Sequence, residues 1–149
     1  MTIRVEIVSE DRMVYEGDAD IVIVPGVFGE MGILPNHAPL ISTMQYGILK
    51  VRHKGVEQVF TVAGGIVEVQ PKIVTILAIA AENVEEIDMA RAEAAKNRAE
   101  ELIAQGPTPD TDAYLALESA IRRSNLRLEA VRKYRRAVRT PPPDMGKSE

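Results

Sequence analysis

The chain has no cysteine and no tryptophan, only two histidines, and aromatic residues make up 4% of its 149 positions. Without cysteine there is no disulfide, no thiolate metal site and no thiol nucleophile, which fits a reducing compartment. Without tryptophan and with so few rings, the core has to be aliphatic. No apolar run approaches the ~20 residues that span a bilayer. The N-terminus opens directly on an alternating strand pattern, so no signal or transit peptide is expected there, and any membrane association is expected to pass through a partner. No HExxH and no readable Ser/His/Asp arrangement occurs, and there is no P-loop.

What is present is enough to fold. The chain is 46% hydrophobic, which excludes wholesale disorder, and its length allows one domain or two small ones. The net charge of −4 conceals an asymmetry: residues 1–87 carry six Lys and Arg against twelve Asp and Glu, and residues 88–149 carry twelve against ten. Within 113–139 there are eight basic residues and two acidic ones. Two segments with different partners are expected.

Residues 1–84 read as strands. Ile3, Val5 and Ile7 alternate with Arg4, Glu6 and Val8, the period-two pattern of a half-buried strand. Val14–Tyr15 before a turn at Gly17, Asp20–Val24, Ile41–Met44, Gly47–His53, Val56–Ala63, Ile66–Val69 and Ile73–Ala80 follow as further short runs. Gly, Pro and Lys54–Gly55 turn signals separate them. No helical pattern intervenes, which predicts an antiparallel sandwich or barrel rather than a parallel α/β sheet. Pro25–Leu40 (PGVFGEMGILPNHAPL) stands apart, with three glycines and three prolines in sixteen residues. Helix is excluded by proline, and an ordinary central strand is excluded for the same reason. A folded loop is expected, its glycines taking positive φ or admitting close backbone approach.

Residues 85–139 read as two helices. Asn83 with Glu86 three residues on has the form of a capping box, and Glu85, Glu86 and Asp88 place negative charge where the helix dipole favours it. Ala92, Ala95, Ala99 and Leu102 form one stripe before Gly106–Pro107 stops the helix. A second helix opens near Thr108 or Asp110 and can continue to about Arg139. Leu117, Ile121, Ser124, Leu128, Val131 and Val138 form its seam, interrupted by Arg135. A short connection between two such helices predicts an antiparallel hairpin. Residues 140–149 (TPPPDMGKSE) read as a disordered tail. The expected fold is therefore α+β: a sandwich over 1–84, a helical hairpin over 85–139, then the tail.

The Pro25–Leu40 pattern resembles the signature loop of the epsilon subunit of bacterial-type F-type ATP synthases, PGxxGExGxLPxHxPL, matched here by Pro25, Gly26, Gly29, Glu30, Gly32, Leu34, Pro35, His37, Pro39 and Leu40. Gly64–Val69 (GGIVEV) resembles the family's GGxxEV strand, and Ile87–Ala92 matches its IDxxRA stretch. The resemblance covers about residues 3–139, and nothing is carried onto the tail. It implies a non-catalytic rotor subunit at the foot of the central stalk, on the cytoplasmic face of the bacterial inner membrane, held there only through the complex. Its partners would be the gamma subunit, the ring of c subunits and the alpha and beta catalytic subunits. The hairpin would fold against the sandwich or extend along gamma, the extended form inhibiting ATP hydrolysis.

The resemblance also implies site residues. Glu30, Met31 and His37 would face the c-ring and gamma. The bland alternative is a loop built for shape, and a catalytic Glu30–His37 pair is disfavoured because general base work needs a partnered nucleophile or water site. Arg122, Arg123, Arg127, Arg132, Lys133, Arg135 and Arg136 would meet an acidic segment of the beta subunit. The alternative is a solvated face, although like charges at i,i+4 destabilise a helix. Nucleic acid is a poor second acidic partner, since aromatic interleaving is missing. Glu82, Ile87, Asp88, Arg91, Ala92 and Arg98 match the family's ATP-binding positions at the start of the hairpin, and Arg123 and Arg127 match those on the second helix. Arg91 and Arg98 share a face, as do Arg123 and Arg127, so guanidinium groups from facing helices can clamp a triphosphate. Asp88 or Glu82 would accept from the adenine amino group or the ribose. The alternative is that Asp88–Arg91 is an ordinary i,i+3 ion pair. No cofactor is required; ATP enters as a regulatory ligand. A free-standing ATP-sensing module outside any synthase is the rival function.

Overall fold

The computed structural model describes residues 1–106 and 110–135. Eight strands come first: β1 Ile3–Val8, β2 Met13–Ala19, β3 Ile21–Gly26, β4 Gly29–Ile33, β5 Leu40–His53, β6 Val56–Val69, β7 Ile73–Ala78 and β8 Ala81–Asn83. A single 3-10 turn, Val84–Glu86, leads to helices α1 Met89–Ala104 and α2 Thr111–Tyr134. The order along the sheet is β2-β1-β7-β6-β5-β3-β4, with β8 also on β6. All pairs are antiparallel except β1 with β7.

The sheet closes into a sandwich because β5 and β6 are long enough to serve both layers. The C-terminal half of β6 pairs with β7 (Val67 opposite Ile76), and its N-terminal half pairs with β8 (Val62 opposite Ala81). β5 pairs with β6 along its length, and its C-terminal half pairs with β3 (Val51 opposite Val22). Between the layers lie Ile3, Val5, Ile7, Val22, Val24, Ile33, Leu49, Val51, Phe60, Val62, Val67, Val74 and Ile76, all at most 1% exposed. Phe60 is the one ring fully inside, with Tyr15 tilted against it at 5.4 Å between centroids. The core is aliphatic, as the scarcity of aromatics requires.

Several expected boundaries move. Gly17 is not a turn; it lies inside β2, opposite Val5. The runs expected as separate strands at 41–44 and 47–53 join into β5, and those at 56–63 and 66–69 join into β6. Gly64 (φ 81°) and Gly65 (φ 133°) do not end β6 but bend it, since neighbours on both sides supply its hydrogen bonds. A Cβ on Gly65 would stand 2.2 Å from the Leu77 carbonyl oxygen, so only glycine lets β7 approach there.

Pro25–Leu40 is also more regular than a loop. Pro25 ends within β3 and faces Glu30 of β4. Its missing donor falls where the β3–β5 register shifts, between Ile23 and Gly26, and β4 is a terminal edge strand, so proline is tolerated as its chemistry demands. Among the loop's glycines only Gly29 has positive φ, at 128°. Gly26 serves close approach instead, since a Cβ there would meet the Gly29 carbonyl oxygen at 2.9 Å.

The first helix starts at Met89, later than the expected 85–86. Asn83 caps the 3-10 turn, its side chain accepting from the Glu85 amide at 2.9 Å, and Asp88 is the cap of α1, accepting from the Arg91 amide at 3.1 Å. Asp110 caps α2, accepting from the Ala113 amide at 2.6 Å. α2 ends at Tyr134, short of the expected Arg139, because Arg135 turns extended (ψ 120°). The expected opening at Thr108 and Pro109, and Arg136, Val138, Arg139 and the tail, lie outside the described residues.

Candidate functional site

The hairpin lies folded on the outer face of the sandwich layer that holds the C-terminal half of β5 and the N-terminal half of β6. A small second core forms there: Val84, Ile87, Ala130 and Val131, flanked by Ile48, Val59, Met89 and Tyr134. Ser124 and Leu128 of the expected α2 seam are buried too, as are Ala92 and Ala99 of the α1 stripe. The alanines let the two helices come close. Leu102 does not join them and is 46% exposed.

Charged side chains tie this arrangement together. The Arg127 guanidinium donates to both oxygens of Glu82, at 2.7 and 2.5 Å, joining the middle of α2 to β8. Arg135 donates to the carbonyls of Val84 and Ile87, its Nη2 at 2.5 Å from each, so the residue that interrupts the α2 seam fastens its end to the sandwich junction. The Arg122 guanidinium sits 4.2 Å from the centre of the Tyr46 ring, and Lys50 reaches the Tyr134 ring at 5.0 Å.

The residues matched to nucleotide-binding positions therefore gather in one place. Glu82, Asp88, Arg91, Arg98 and Arg127 line a groove of about 440 Å³ with Glu86, Ala94 and Ala95. Arg123 lies beside it, in a small recess it shares with Glu82 and Arg127. Ile87 and Ala92 do not reach the groove: both are buried as packing residues. Asp88 is engaged as the cap of α1, and no Asp88–Arg91 ion pair forms among the described residues. Arg91 and Arg98 point into the groove with no ion pair of their own among the described residues. Three guanidinium groups on one concave wall are suited to a multiply charged anion.

Of the basic set on α2, Arg127 and Arg135 are half-buried against the sandwich, whereas Arg122, Arg123, Arg132 and Lys133 are exposed, Arg122 lying over the Tyr46 ring. In the signature segment Glu30 stands exposed on the β4 edge, Met31 packs partly against the core, and the His37 ring donates to the Ala38 carbonyl at 2.8 Å. No hydrogen bond or ion pair joins Glu30 to His37 among the described residues. The tip of the β3–β4 hairpin, Val27–Phe28, is apolar and bare, Phe28 being fully exposed.

One feature escaped sequence reasoning. Ile41, Ile66, Leu77 and Ile79 are all exposed, and Ile66 faces Leu77 across β6–β7. Ile66, Leu77 and Ile79 border a shallow apolar groove of about 550 Å³ between Val8–Glu10, Thr43–Met44, Gly64–Ile66 and Leu77–Ile79. This is the outer face of the layer opposite the hairpin. The period-two pattern marks which residues alternate, but β5, β6 and β7 are apolar on both sides here, so the pattern alone did not separate the covered side from the bare one.

No described helix is long and apolar enough to cross a membrane, and no group of His, Asp or Glu among the described residues is placed to hold a metal ion. Residues 2–84 match the family model for the beta-sandwich domain of the ATP synthase delta/epsilon chain, and residues 85–132 match the model for its long alpha-helix domain. The chain is 42% identical to the ATP synthase epsilon chain of Dehalococcoides mccartyi over 134 residues, 90% of this chain and 95% of that one. It is 46% identical to the ATP synthase epsilon chain of Bacillus licheniformis over 125 residues, 82% of this chain and 95% of that one. A chain in the Euglena gracilis mitochondrial ATP synthase (OSCP/F1/c-ring) superposes with a TM-score of 0.68 at 25% identity, covering 87% of this chain and 80% of that one.

Proposed function

The chain belongs to the ATP synthase delta/epsilon family, as a non-catalytic subunit, and on that premise we propose that it is a rotor subunit joining the gamma subunit to the c-ring of a proton-translocating complex. Its place would be the cytoplasmic face of a bacterial inner membrane, where it is held through its partners. The observation that carries this reading is the bare apolar face of Ile41, Ile66, Leu77 and Ile79. Exposed apolar patches of this kind mark interfaces, and this one lies on the layer the hairpin leaves free. It is the seat for gamma. The edge strand β4 with Glu30, the Val27–Phe28 tip and His37 supplies the contact to the c-ring.

The test is binding of the matched gamma subunit. Leu77→Asp with Ile79→Asp is expected to weaken it more than tenfold while melting temperature and circular dichroism stay near those of the native chain, because both side chains are already exposed. Undiminished binding by a folded double variant would remove the face from the interface. Failure of the native chain to co-purify with a membrane ATPase would instead favour the free-standing ATP sensor.

The hairpin gives the subunit its regulatory part. Folded, it engages Arg127 and Arg135 with the sandwich and lays the exposed Arg122 over the Tyr46 ring; released, it frees all three to join Arg123, Arg132 and Lys133 against an acidic segment of a beta subunit, restraining ATP hydrolysis. ATP in the groove, with its phosphates against Arg91, Arg98 and Arg127, favours the folded form. Calorimetric titration with ATP, with Arg91→Ala and Arg127→Ala as controls, tests that site: binding by the native chain and loss in both variants is the expected result.

A further inference from the structure

β6 has one stretch of edge that no described strand covers. Its first four residues, Val56–Val59, pair with β5 on one side, from Val56 opposite His53 to Val59 opposite Lys50. On the other side β8 reaches only as far as Asn83, opposite Phe60, and the chain then turns away into the 3-10 turn Val84–Glu86. A bare strand edge presents unpaired amides and carbonyls and is a template for another extended segment. The space into which β8 does not continue is a groove of about 410 Å³ between Val56–Val59, Asn83–Glu85 and Tyr134. Val59 and Tyr134 give it a half-buried floor, and the exposed carboxylate of Glu85 stands on its rim.

α2 ends at this groove. Tyr134 lines it, and Arg135 donates to the carbonyl of Val84, another of its lining residues. Arg135 itself is extended (φ −73°, ψ 120°), so the backbone leaves the helix at the rim in a strand-compatible conformation. The sequence that follows is Arg136, Ala137, Val138, Arg139 and Thr140, then Pro141, Pro142 and Pro143. Prolines cannot donate to a ladder, and Pro141 biases Thr140 away from helix, so regular pairing by this segment has to end by Thr140. The four residues 136–139 equal in number the four open positions on β6. Two arginines suit a rim that carries a carboxylate, and Val138 suits the floor.

We propose that residues 136–139 dock back on the open edge of β6, adding a short strand beside Val56–Val59 and strapping the end of α2 to the sandwich. In this mode of recognition main-chain hydrogen bonds to the edge supply affinity and side-chain pockets supply specificity. The occupant is tethered at the groove, so its effective concentration there is roughly millimolar or higher and a short pairing suffices. The strap holds the hairpin down from its C-terminal end, apart from the groove between the helices. α2 leaves the sandwich only after the strap has peeled away.

The experiment compares the full chain with a chain ending at Arg135 and with the full-length double variant Arg136→Glu, Arg139→Glu. Amide exchange and NMR shifts are followed along the backbone. The full chain is expected to protect the outward amides of Val56–Val59 about tenfold more than the truncated chain does, and to slow exchange at the end of α2, with β1 and β7 unaffected. The charge-reversed variant, which keeps the chain length, is expected to resemble the truncated chain. A peptide of residues 136–149 added to the truncated chain is expected to shift the resonances of Val56–Val59. Equal protection of Val56–Val59 in all three chains would overturn the strap. Protection that falls on dilution of the full chain would give the groove to the segment of a second copy and overturn it as well. Loosening of every strand alike in both altered chains would show that the segment supports the whole fold rather than this edge, and would also refute it.

Discussion

Asp20 illustrates how a single side chain can hold a turn. Its carboxylate accepts from the Lys54 amide at 2.8 Å and stands 3.6 Å from the His53 ring. It therefore links the start of β3 to the β5–β6 turn, where Lys54 (φ 51°) and Gly55 (φ 76°) are both left-handed. The amide hydrogen bond, more than the charge of His53, lowers the Asp20 pKa below its ordinary value. A lowered folded-state pKa stabilises the fold above the unfolded value, ~3.9, and that contribution is lost as pH falls through the folded value. Asp20→Asn is accordingly expected to lower the melting temperature at pH 7 and to differ little from the native chain near pH 2. Equal differences at both pH values would show that the charge is not what matters. At this scale the sequence is ambiguous in a definite way. The spacing of Asp88 and Arg91 permits either an i,i+3 ion pair or a cap on a backbone amide, and the structure makes it the cap. The choice turns on where the helix begins, and residue spacing alone does not carry that information.

At the scale of elements, hydrophobic period and turn chemistry located both helices and the strands other than β4, which lies inside the expected loop, and β8, which follows the run expected as the last strand, because those signals are local. They misplaced the joints. Gly64 and Gly65 have the composition of a break, yet β6 runs through them because β5 and β7 supply its hydrogen bonds from either side; a partner strand is invisible to a local pattern. Pro25 likewise has the composition of a loop, and β3 contains it at a register shift. The end of α2 follows the same logic. Nothing in the local sequence stops the helix at Tyr134, but Arg135 finds two carbonyls on the other side of the junction. Hydrogen bonds from a charged donor contribute ~1.5–3 kcal/mol each, and partial exposure discounts them. Arg135→Gln is expected to destabilise the docked end of α2 by about 2 kcal/mol in total while leaving the sandwich intact. Amide exchange resolved along the chain would read this as faster exchange over 124–134 with β1–β7 unchanged. Uniform loosening of both parts would mean that hairpin and sandwich form one cooperative unit.

For the whole molecule, the two outer faces of the sandwich carry different duties. One is covered by α2 through Tyr46, Ile48, Lys50 and Val59; the other, with Ile41, Ile66, Leu77 and Ile79, is bare. Such a division would let the molecule remain attached by one face while the hairpin leaves the other, as the proposed rotor function with a moving arm requires. The docked hairpin is held by a small core, four buried side chains of which two come from α2, flanked by Ile48, Val59, Met89 and Tyr134, together with exchangeable ion and ring contacts. The absence of cysteine makes the idea simple to test. Ile48→Cys with Ala130→Cys places a thiol on each side of that second core, and joining them by a disulfide or a short bismaleimide fixes the hairpin in its folded position. The joined protein is expected to bind gamma with an affinity within about twofold of the unjoined one, because an unchanged interface leaves the binding free energy unchanged within ~0.4 kcal/mol. It is also expected to lose its restraint of ATP hydrolysis in the assembled complex, and to regain it when a disulfide is reduced. If joining the helix to the sheet abolished gamma binding, the two faces would not be independent, and attachment would require the hairpin to move first.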